Sequence, residues 1–402
     1  MAQSNVYDLV SAIGYLGVDL FLGTTHGEVC LIHNGDWNNR TTVFVDKLRR
    51  DVVEICCTNT ASGCEVAIVV RGLVHDPERG DMESTEAFLV ANGTVVSMGL
   101  HVSKLLSSRC VMQYDNQLFS VYFPQLSGLR PYYSLEWFYG TNVYDFDGGH
   151  CLAINRSMAS STIYTIDLAS KKSIDECDTF LFNGPYFSKL KAEDAQRTVQ
   201  NGGTFDVFLN SGSAGIFSLD DLDDENIRNE ERFNRLLDPS LVLKVHDPRT
   251  YLDFVRIVKR ENNESIVISG GRDNKVVVST LFSHQVLATI SLEDSPRSGL
   301  YDGRRLFYVG HDAGVFNIDL MGNCFDAYSY VPLATRITKL HMSPDGRKIA
   351  AFASSDNAIF SLACPDLSVL AVEDYKERIE DFCITNEGTV IAYSNTGVLY
   401  YQ

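Results

Sequence analysis

A short sequence pattern recurs seven times along the chain, and it constrains the fold more than any other feature. Each copy has a small or polar turn residue, an aliphatic residue three positions later, and a further residue three positions after that. The last six copies lie roughly 40 to 60 residues apart, near the period of repeats built from four short strands. The positions are His26, Val29, Ile32; Ser160, Ile163, Ile166; Ser213, Ile216, Leu219; Asp273, Val276, Ser279; Asp312, Val315, Ile318; Asp356, Ile359, Leu362; and Asn395, Val398, Tyr401.

The pattern predicts a β-hairpin in each copy. Two antiparallel strands need a turn residue that accepts unusual backbone angles or bonds its own backbone, which explains the Gly, Asn, Asp and Ser found there. Side chains alternate between the two faces of a strand, and sheets stacked around an axis are covered on both faces. Apolar residues are therefore expected on both sides, as the sequence shows. We predict an all-β protein that forms one domain, residues 1–402.

Two stretches, SGGRDNKVVVSTL and HMSPDGRKIAAFASSDNAIFSL, resemble the hairpins of WD-repeat β-propellers. Asp273, Asp312 and Asp356 match the aspartate that this family carries in the turn. The Trp–Asp pair of the family is reduced to Ile166–Asp167 and Ile318–Asp319, and the Gly–His before each blade is largely lost. The resemblance implies a closed β-propeller of four-stranded blades. It also implies blades that rest on apolar packing, because the Asp–His–Ser–Trp network of the family is mostly absent.

The repeat spacing gives eight blades as the best count, with seven or nine also compatible. One degenerate blade is expected between His26 and Ser160, from VVEICCTNT to GTVVSMGL, and a less regular one around CVMQYDNQLFSVYF. The segment from Ser4 to Asp8 precedes the first strand of the first copy. We expect this N-terminal strand to complete the last blade and close the ring, because closure removes two open sheet edges.

Charge and hydropathy exclude several classes of protein. The formal net charge is −18, from 52 acidic and 34 basic residues, and such a field repels phosphate backbones, so direct nucleic-acid binding is not expected. Lys47, Arg49 and Arg50 cluster, and a solvated loop is preferred over a basic patch. No apolar run approaches the roughly 18 residues of a membrane helix, and Met1 to Asp8 lacks the pattern of a secretory signal.

The ten cysteines favour a reduced compartment, because several lie in apolar strand-like runs. We expect a cytoplasmic location, with the nucleus left open.

Motif content gives no sign of an enzyme. The chain has no Gly-x-Ser-x-Gly elbow, no phosphate-binding loop, no His-Glu-x-x-His and no Cys-x-x-Cys. We therefore predict no catalytic residue, no cofactor and no metal. His75, Asp76, Glu78 and Asp81 could in principle ligate a metal, but they lie in one long polar hairpin loop, Arg71 to Thr85, and neighbouring residues in such a loop seldom form a closed site.

Candidate binding residues lie where the repeat is interrupted, because loops and insertions carry the function of such folds. Residues 220–239 are predicted to form a short acidic helical insertion, suited to a basic partner; a passive loop packed on its own blade is the alternative. The aromatic segment 129–140 is a second candidate surface, although its aromatics could equally fill a blade core. The predicted partner-binding residues are Asp220, Asp221, Asp223, Asp224, Glu225, Glu230, Glu231, Phe233, Tyr132, Tyr133 and Trp137.

The sequence therefore predicts a protein–protein interaction scaffold or a subunit of a multiprotein complex. Its expected partners are other proteins, basic ones among them, held by the propeller faces and loop insertions. Two alternatives stay open: a propeller enzyme with a site in the central channel, and a propeller associated with histones or chromatin.

Overall fold

The computed structural model describes most of the chain on either side of residues 168–241. The described residues are 2–3, 9–33, 36, 39–60, 63–76, 80–100, 102–107, 110–115, 118–125, 128–136, 141–146, 150–155, 162–167, 242–247, 250–260, 262–281, 283, 285–321, 325 and 327–401. Their backbone forms strands, turns and irregular segments, with no α-helix, and hence no helix that could span a membrane.

The described strands form eight four-stranded antiparallel sheets, which we number I to VIII in chain order. In the first half of the chain the strands are β1 (Ala2–Gln3); in sheet I, β2 (Val10–Leu16), β3 (Asp19–Thr24), β4 (Glu28–Ile32) and β5 (Arg40–Val45); in sheet II, β6 (Asp51–Thr60), β7 (Gly63–Asp76), β8 (Gly80–Ala91) and β9 (Thr94–Leu100); in sheet III, β10 (Val102–Ser107), β11 (Cys110–Asp115), β12 (Leu118–Gln125) and β13 (Gly128–Glu136); and in sheet IV, β14 (Thr141–Phe146), β15 (His150–Asn155), β16 (Thr162–Asp167) and β17 (Val242–Lys244).

The second half of the chain is the more regular. Its strands are, in sheet V, β18 (Leu252–Lys259), β19 (Ser265–Gly271), β20 (Lys275–Thr280) and β21 (Val286–Ser291); in sheet VI, β22 (Pro296–Tyr301), β23 (Leu306–His311), β24 (Gly314–Asp319) and β25 (Ala327–Pro332); in sheet VII, β26 (Ile337–Met342), β27 (Lys348–Ala353), β28 (Ala358–Ala363) and β29 (Val369–Asp374); and in sheet VIII, β30 (Ile379–Ile384), β31 (Val390–Ser394) and β32 (Leu399–Tyr401). β1 is the fourth strand of sheet VIII.

Five of the seven predicted turn positions lie in the described residues, and these five share one place in the sheet; Ser160 and Ser213 lie outside them. His26, Asp273, Asp312, Asp356 and Asn395 all lie between the second and third strands of their sheets. The segments expected to form a degenerate blade and a less regular one are sheet II and part of sheet III. The copy at Ser213 and the acidic insertion 220–239 lie outside the described residues.

The N-terminal strand differs in position from the prediction. β1 pairs with β32 through Ala2 opposite Tyr401 and Gln3 opposite Tyr400, whereas residues 4–8 lie outside the described residues. The first strand of each sheet contacts the first strand of the next, and β30 also contacts β2. The eight-blade count, ring closure and the single domain stay predictions for the whole chain, because residues 168–241 fall between β16 and β17.

Two kinds of β-bulge recur in the described sheets. Near its start, the first strand of every sheet skips one residue in its pairing with the second strand. These skipped residues are Ser11, Val53, Ser103, Tyr144, Asp253, Arg297, Thr338 and Glu380; β10 skips a second residue, Leu106, near its end. A bulge bends a strand and turns a side chain away from its regular direction, so these eight positions mark the start of each first strand as irregular in the same way.

The fourth strands of six sheets carry the second kind of bulge, close to the outer edge. The skipped residues are Val43, Met98, Tyr132, Leu287, Tyr328 and Leu370. Bulges at an edge hinder pairing with a further strand. The outer edges of these sheets are therefore protected, although Tyr328, Leu370 and Val372 expose apolar surface there.

The core lies between the sheets and within their second and third strands. Every residue of β23 is buried, as are all residues of β24 except the last. Large side chains of one sheet fit against glycines of its neighbour: a Cβ on Gly299 would lie 2.6 Å from the ring of Phe254, and one on Gly23 would lie 2.5 Å from Val52. Close packing of this kind explains why glycine occurs within strands, where it otherwise costs stability.

Candidate functional site

One edge of the sheets, which we call the rim, consists of the starts of the first strands and the turns between second and third strands. Backbone hydrogen bonds join the two parts. The amide of Arg272 donates to the carbonyl of Tyr251 (2.8 Å), and the amide of Asn395 donates to the carbonyl of Arg378 (2.9 Å). Each turn is therefore fixed beside the residue that precedes a first strand, and side chains from both parts come together.

Charged side chains link three sheets along the rim. Arg297 of sheet VI donates two hydrogen bonds of 2.7 Å to the Asp312 carboxylate of the same sheet and a third of 3.2 Å to Asp253 of sheet V. Arg336, which precedes sheet VII, donates to Asp312 at 2.9 Å. Two of the four, Asp253 and Arg297, occupy bulges, which turn their side chains toward this shared cluster. We call the four residues the rim ladder.

The rim ladder is electrostatically matched. The hydrogen bonds from Arg297 lower the pKa of Asp312, and its charge and that of Arg336 act in the same direction against burial. The hydrogen bond to Asp312 in turn raises the pKa of Arg297. Two parallel hydrogen bonds between a guanidinium group and a carboxylate are stronger and more directional than a single hydrogen bond. The ladder therefore holds the starts of three neighbouring sheets in a fixed arrangement.

The outer side of the ladder presents an aromatic ring and two guanidinium groups to solvent. The Arg272 guanidinium lies 5.1 Å from the centre of the Tyr251 ring, a cation–π contact, and 3.4 Å from Asp253. Arg336 and Arg272 are each about half exposed, as is Tyr251. Tyr and Arg on a rigid support are the residue types that most often anchor protein interfaces.

A buried polar network stabilises sheet V below the rim. The Asp273 carboxylate accepts hydrogen bonds from His246 Nδ1 (3.0 Å) and from the amide of Asp247 (3.0 Å), and His246 Nε2 lies 2.8 Å from the Ser269 hydroxyl. Burial lowers the pKa of His246 although Asp273 opposes this, and the neutral ring then carries its proton on Nδ1. The Asp–His–Ser part of the family network, predicted to be mostly absent, is thus retained in sheet V.

Of the basic cluster predicted to be a solvated loop, Lys47 and Arg49 are exposed, whereas Arg50 is folded into the protein. Arg50 is almost completely buried and donates to both oxygens of Asp46, at 2.9 and 3.1 Å, and to Glu86 at 2.8 Å. Arg49 is exposed and pairs with Glu28 at 2.5 Å. The prediction was wrong for Arg50 because sequence alone does not show that two carboxylates from neighbouring sheets converge on it.

The structure does not test the partner-binding residues predicted from the sequence, because only two of them lie in its described part. Tyr132 and Tyr133 lie on β13, where Tyr132 is the residue that the pairing with β12 skips. The others lie outside the described residues and stay predictions: Asp220, Asp221, Asp223, Asp224, Glu225, Glu230, Glu231, Phe233 and Trp137.

The predicted long polar hairpin loop is largely strand. β7 and β8 remain paired as far as Asp76 opposite Gly80, and His75 lies opposite Asp81. In the described part of the chain, no three His, Cys, Asp or Glu side chains come close enough together to hold a metal ion.

Sequence reasoning missed the rim ladder, although a signal was present. Asp253 and Arg297 occupy equivalent positions in consecutive repeats and carry opposite charges. This charge pair can be recognised only when the register of the first strands is known, because the bulge shifts both residues out of the alternation of buried and exposed side chains.

Comparison with solved structures identifies proteins of similar architecture. No protein-family model matches the chain, and no curated protein matches it in sequence. Among solved structures, the computationally designed protein Ika8 aligns over 98% of this chain and 96% of its own, with a TM-score of 0.58 and 10% identity. Sqt1 of Saccharomyces cerevisiae aligns over 98% and 96%, with a TM-score of 0.56 and 11% identity.

The C-terminal WD40 domain of Sif2 is similar to the same extent. It aligns over 98% of this chain and 95% of its own, with a TM-score of 0.57 and 10% identity. Identities this low establish the fold alone. Together with the four-stranded antiparallel sheets and their shared turn positions, they show that the chain has the fold of a WD40-repeat β-propeller.

Proposed function

We propose that this protein is a protein-interaction scaffold, a subunit that holds other proteins against its rim. The observation that carries the proposal is the rim ladder, which spans three sheets and holds two half-exposed arginines: Arg336 belongs to it, and Arg272 contacts its Asp253. Tyr251, also half exposed, lies beside Arg272. A partner that binds there meets side chains that are already ordered. Binding then loses less conformational entropy than it would on free surface side chains.

The composition of the rim also supports this function. Buried interface anchors are enriched in Tyr and Arg, and the rim offers both: Arg272 lies over the Tyr251 ring, and Arg336 is exposed at the other end of the ladder. The rim is formed by turns and strand starts, so its side chains can differ between sheets without disturbing the buried second and third strands. This combination suits a recognition surface more than a packing role.

The test is a quantitative affinity purification of the full chain after mild cross-linking in cells. A double variant, Arg272→Ala with Arg336→Ala, removes both exposed guanidinium groups. We expect it to lower the recovery of at least one stoichiometric partner by about tenfold or more, as for the loss of interface anchors. Each arginine is half exposed, so losing its ion pair should cost less than about 1 kcal/mol of unfolding free energy and leave the chain folded, as urea unfolding checks.

The matched control is Arg347→Ala. Arg347 is 84% exposed, lies in the turn between β26 and β27 at the opposite edge of the sheet, and contacts only Asp345, at 4.0 Å, among the ion pairs of the described residues. It should leave partner recovery unchanged. Recovery of the chain as a lone monomer, or equal partner recovery with the double variant and the control, would contradict the proposal.

A further inference from the structure

Sheet II carries a two-stranded extension at the rim that no other described sheet has there. β6 pairs with β7 only as far as Asp51 opposite Arg71, and β9 pairs with β8 only as far as Leu100 opposite Glu86. Beyond these pairs β7 and β8 continue together to Asp76 opposite Gly80. We call residues 72–76 and 80–85 the arm. It extends past the rim, because it grows from the turn between a second and a third strand.

The base of the arm is fixed by a buried charged cluster. Arg50 binds Asp46, which follows sheet I, and Glu86, which is the first residue of β8 after the arm. The Ser97 hydroxyl donates to the other oxygen of Glu86 at 2.8 Å. A Cβ on Gly72 would lie 2.7 Å from Arg50 Cγ, so only glycine lets the strand pass this close.

This construction points to a positional role. A two-stranded hairpin is marginally stable by itself in water. Burying the three charged groups of the cluster costs hydration free energy, whereas apolar side chains in the same place would not incur that cost. The cluster therefore contributes chiefly by fixing where the arm leaves the sheet. A side chain far out on the arm gains a defined position relative to the rim.

The surface of the arm combines an exposed apolar residue with negative charge. Leu73 is 72% exposed, more than any other large hydrophobic residue whose side chain the structure describes. It lies directly opposite Glu83, whose carboxylate also lies 3.7 Å from Nε of Arg71, and residues 71–85 contain four acidic and two basic residues. A leucine this exposed gains little free energy from burial, and the net negative charge of the segment attracts cations.

We propose that the arm docks a basic segment of another protein that carries an apolar side chain between lysines or arginines. The apolar side chain packs on Leu73, and a basic side chain beside it pairs with Glu83. The inference rests on the proposed scaffold function and names the chemistry of one partner. The edges of the arm, which no described strand pairs beyond Arg71 and Glu86, offer backbone groups to an extended segment.

The experiment uses the full chain and a short labelled peptide in which one leucine is flanked by lysines and arginines. Fluorescence anisotropy measures its affinity for the wild type and for Leu73→Ser and Glu83→Lys. We expect each substitution to weaken binding by about tenfold. Glu83→Lys should also reduce the dependence of the affinity on salt, because one charge contact is lost. A peptide with serine in place of leucine should bind more weakly.

Matched controls separate a docking site from general attraction to an acidic protein. Leu370→Ser changes a leucine of 52% exposure on β29, and Glu387→Lys makes the same charge reversal in the exposed turn between β30 and β31. Neither should change the affinity. Equal weakening by Glu83→Lys and Glu387→Lys, or no binding to the wild type, would overturn the proposal.

The two proposals of partner binding fail in different ways. If the cellular partner is lost with the arginine variants of the rim but retained with Leu73→Ser, the scaffold function stands and the arm inference is wrong. Loss of peptide binding in the arm variants, with unchanged recovery in the rim variants, would instead retain the arm and refute the rim as the partner surface.

Discussion

Three aspartates occupy the same turn position in consecutive sheets, yet each has a different role. Asp273 is buried and accepts hydrogen bonds from His246 and the amide of Asp247. Asp312 pairs with two arginines of the rim ladder. Asp356 is exposed at its turn. The repeat therefore conserves a turn-forming residue type, while the neighbours of each aspartate decide whether it stabilises the fold or shapes a surface.

Replacing Asp273 should destabilise the protein far more than replacing Asp356. Asp273→Ala leaves the buried His246 ring without its acceptor, and we expect a loss of about 2 kcal/mol in the free energy of unfolding. Asp356→Ala should change it by less than about 0.5 kcal/mol, as for most exposed positions. Urea unfolding of the two variants checks this. Equal effects would mean that the network around His246 adds nothing to stability.

At the scale of the strands, neighbouring sheets interlock through glycines. The Phe254 ring of β18 lies between Gly270 of β19 and Gly299 of β22, and its centre is 5.9 Å from that of the Phe307 ring. A Cβ on Gly299 would meet Phe254 at 2.6 Å and Phe307 at 2.7 Å. The two sheets can approach only because one of them has no side chain at this point.

Gly299→Ala should therefore destabilise the contact between sheets V and VI. We expect a loss of about 1 to 3 kcal/mol, the usual range for overpacking of a core. Combining it with Phe254→Leu should cost less than the sum of the two single substitutions, since the smaller side chain makes room for the new methyl group. Denaturant unfolding of the double-mutant cycle provides the measurement, and strict additivity would argue against a direct clash.

At the scale of the whole molecule, the two ends of the described chain meet in one sheet. β1 pairs with β32, so sheet VIII contains strands from both ends. The first strands of sheets VIII and I are also in contact. Without β1, the edge of β32 would present unpaired backbone groups, which favours association with other chains.

Ala2→Pro together with Gln3→Pro should weaken this junction, because proline has no amide hydrogen to donate. We expect a loss of about 1 to 2 kcal/mol in the free energy of unfolding, together with concentration-dependent self-association seen by light scattering. Ala2→Ser with Gln3→Ser keeps the amides and serves as the control. A monodisperse proline variant of unchanged stability would show that β1 contributes little to sheet VIII.

Much of the architecture could be predicted from the sequence, because strand and turn signals are local. Asp273, Asp312 and Asp356 identified turns that lie between second and third strands, and the apolar runs around Val276 and Ile359 identified strands buried on both faces. The residues of the candidate site were harder to predict from the sequence. The predicted acidic residues of 220–239 lie outside the described part of the chain, whereas Asp253, Arg297 and Arg336 were not singled out.

The antiparallel hairpins of a WD-type repeat follow from the local sequence, because turn chemistry and the alternation of side chains act over a few residues. Which polar residues converge depends on the packing of whole sheets. Asp253, Arg297 and Arg336 come from three sheets, and Arg50 reaches carboxylates more than thirty residues apart. Such contacts depend on strand register and on bulges that shift it by one residue, and neither can be read from a local sequence pattern.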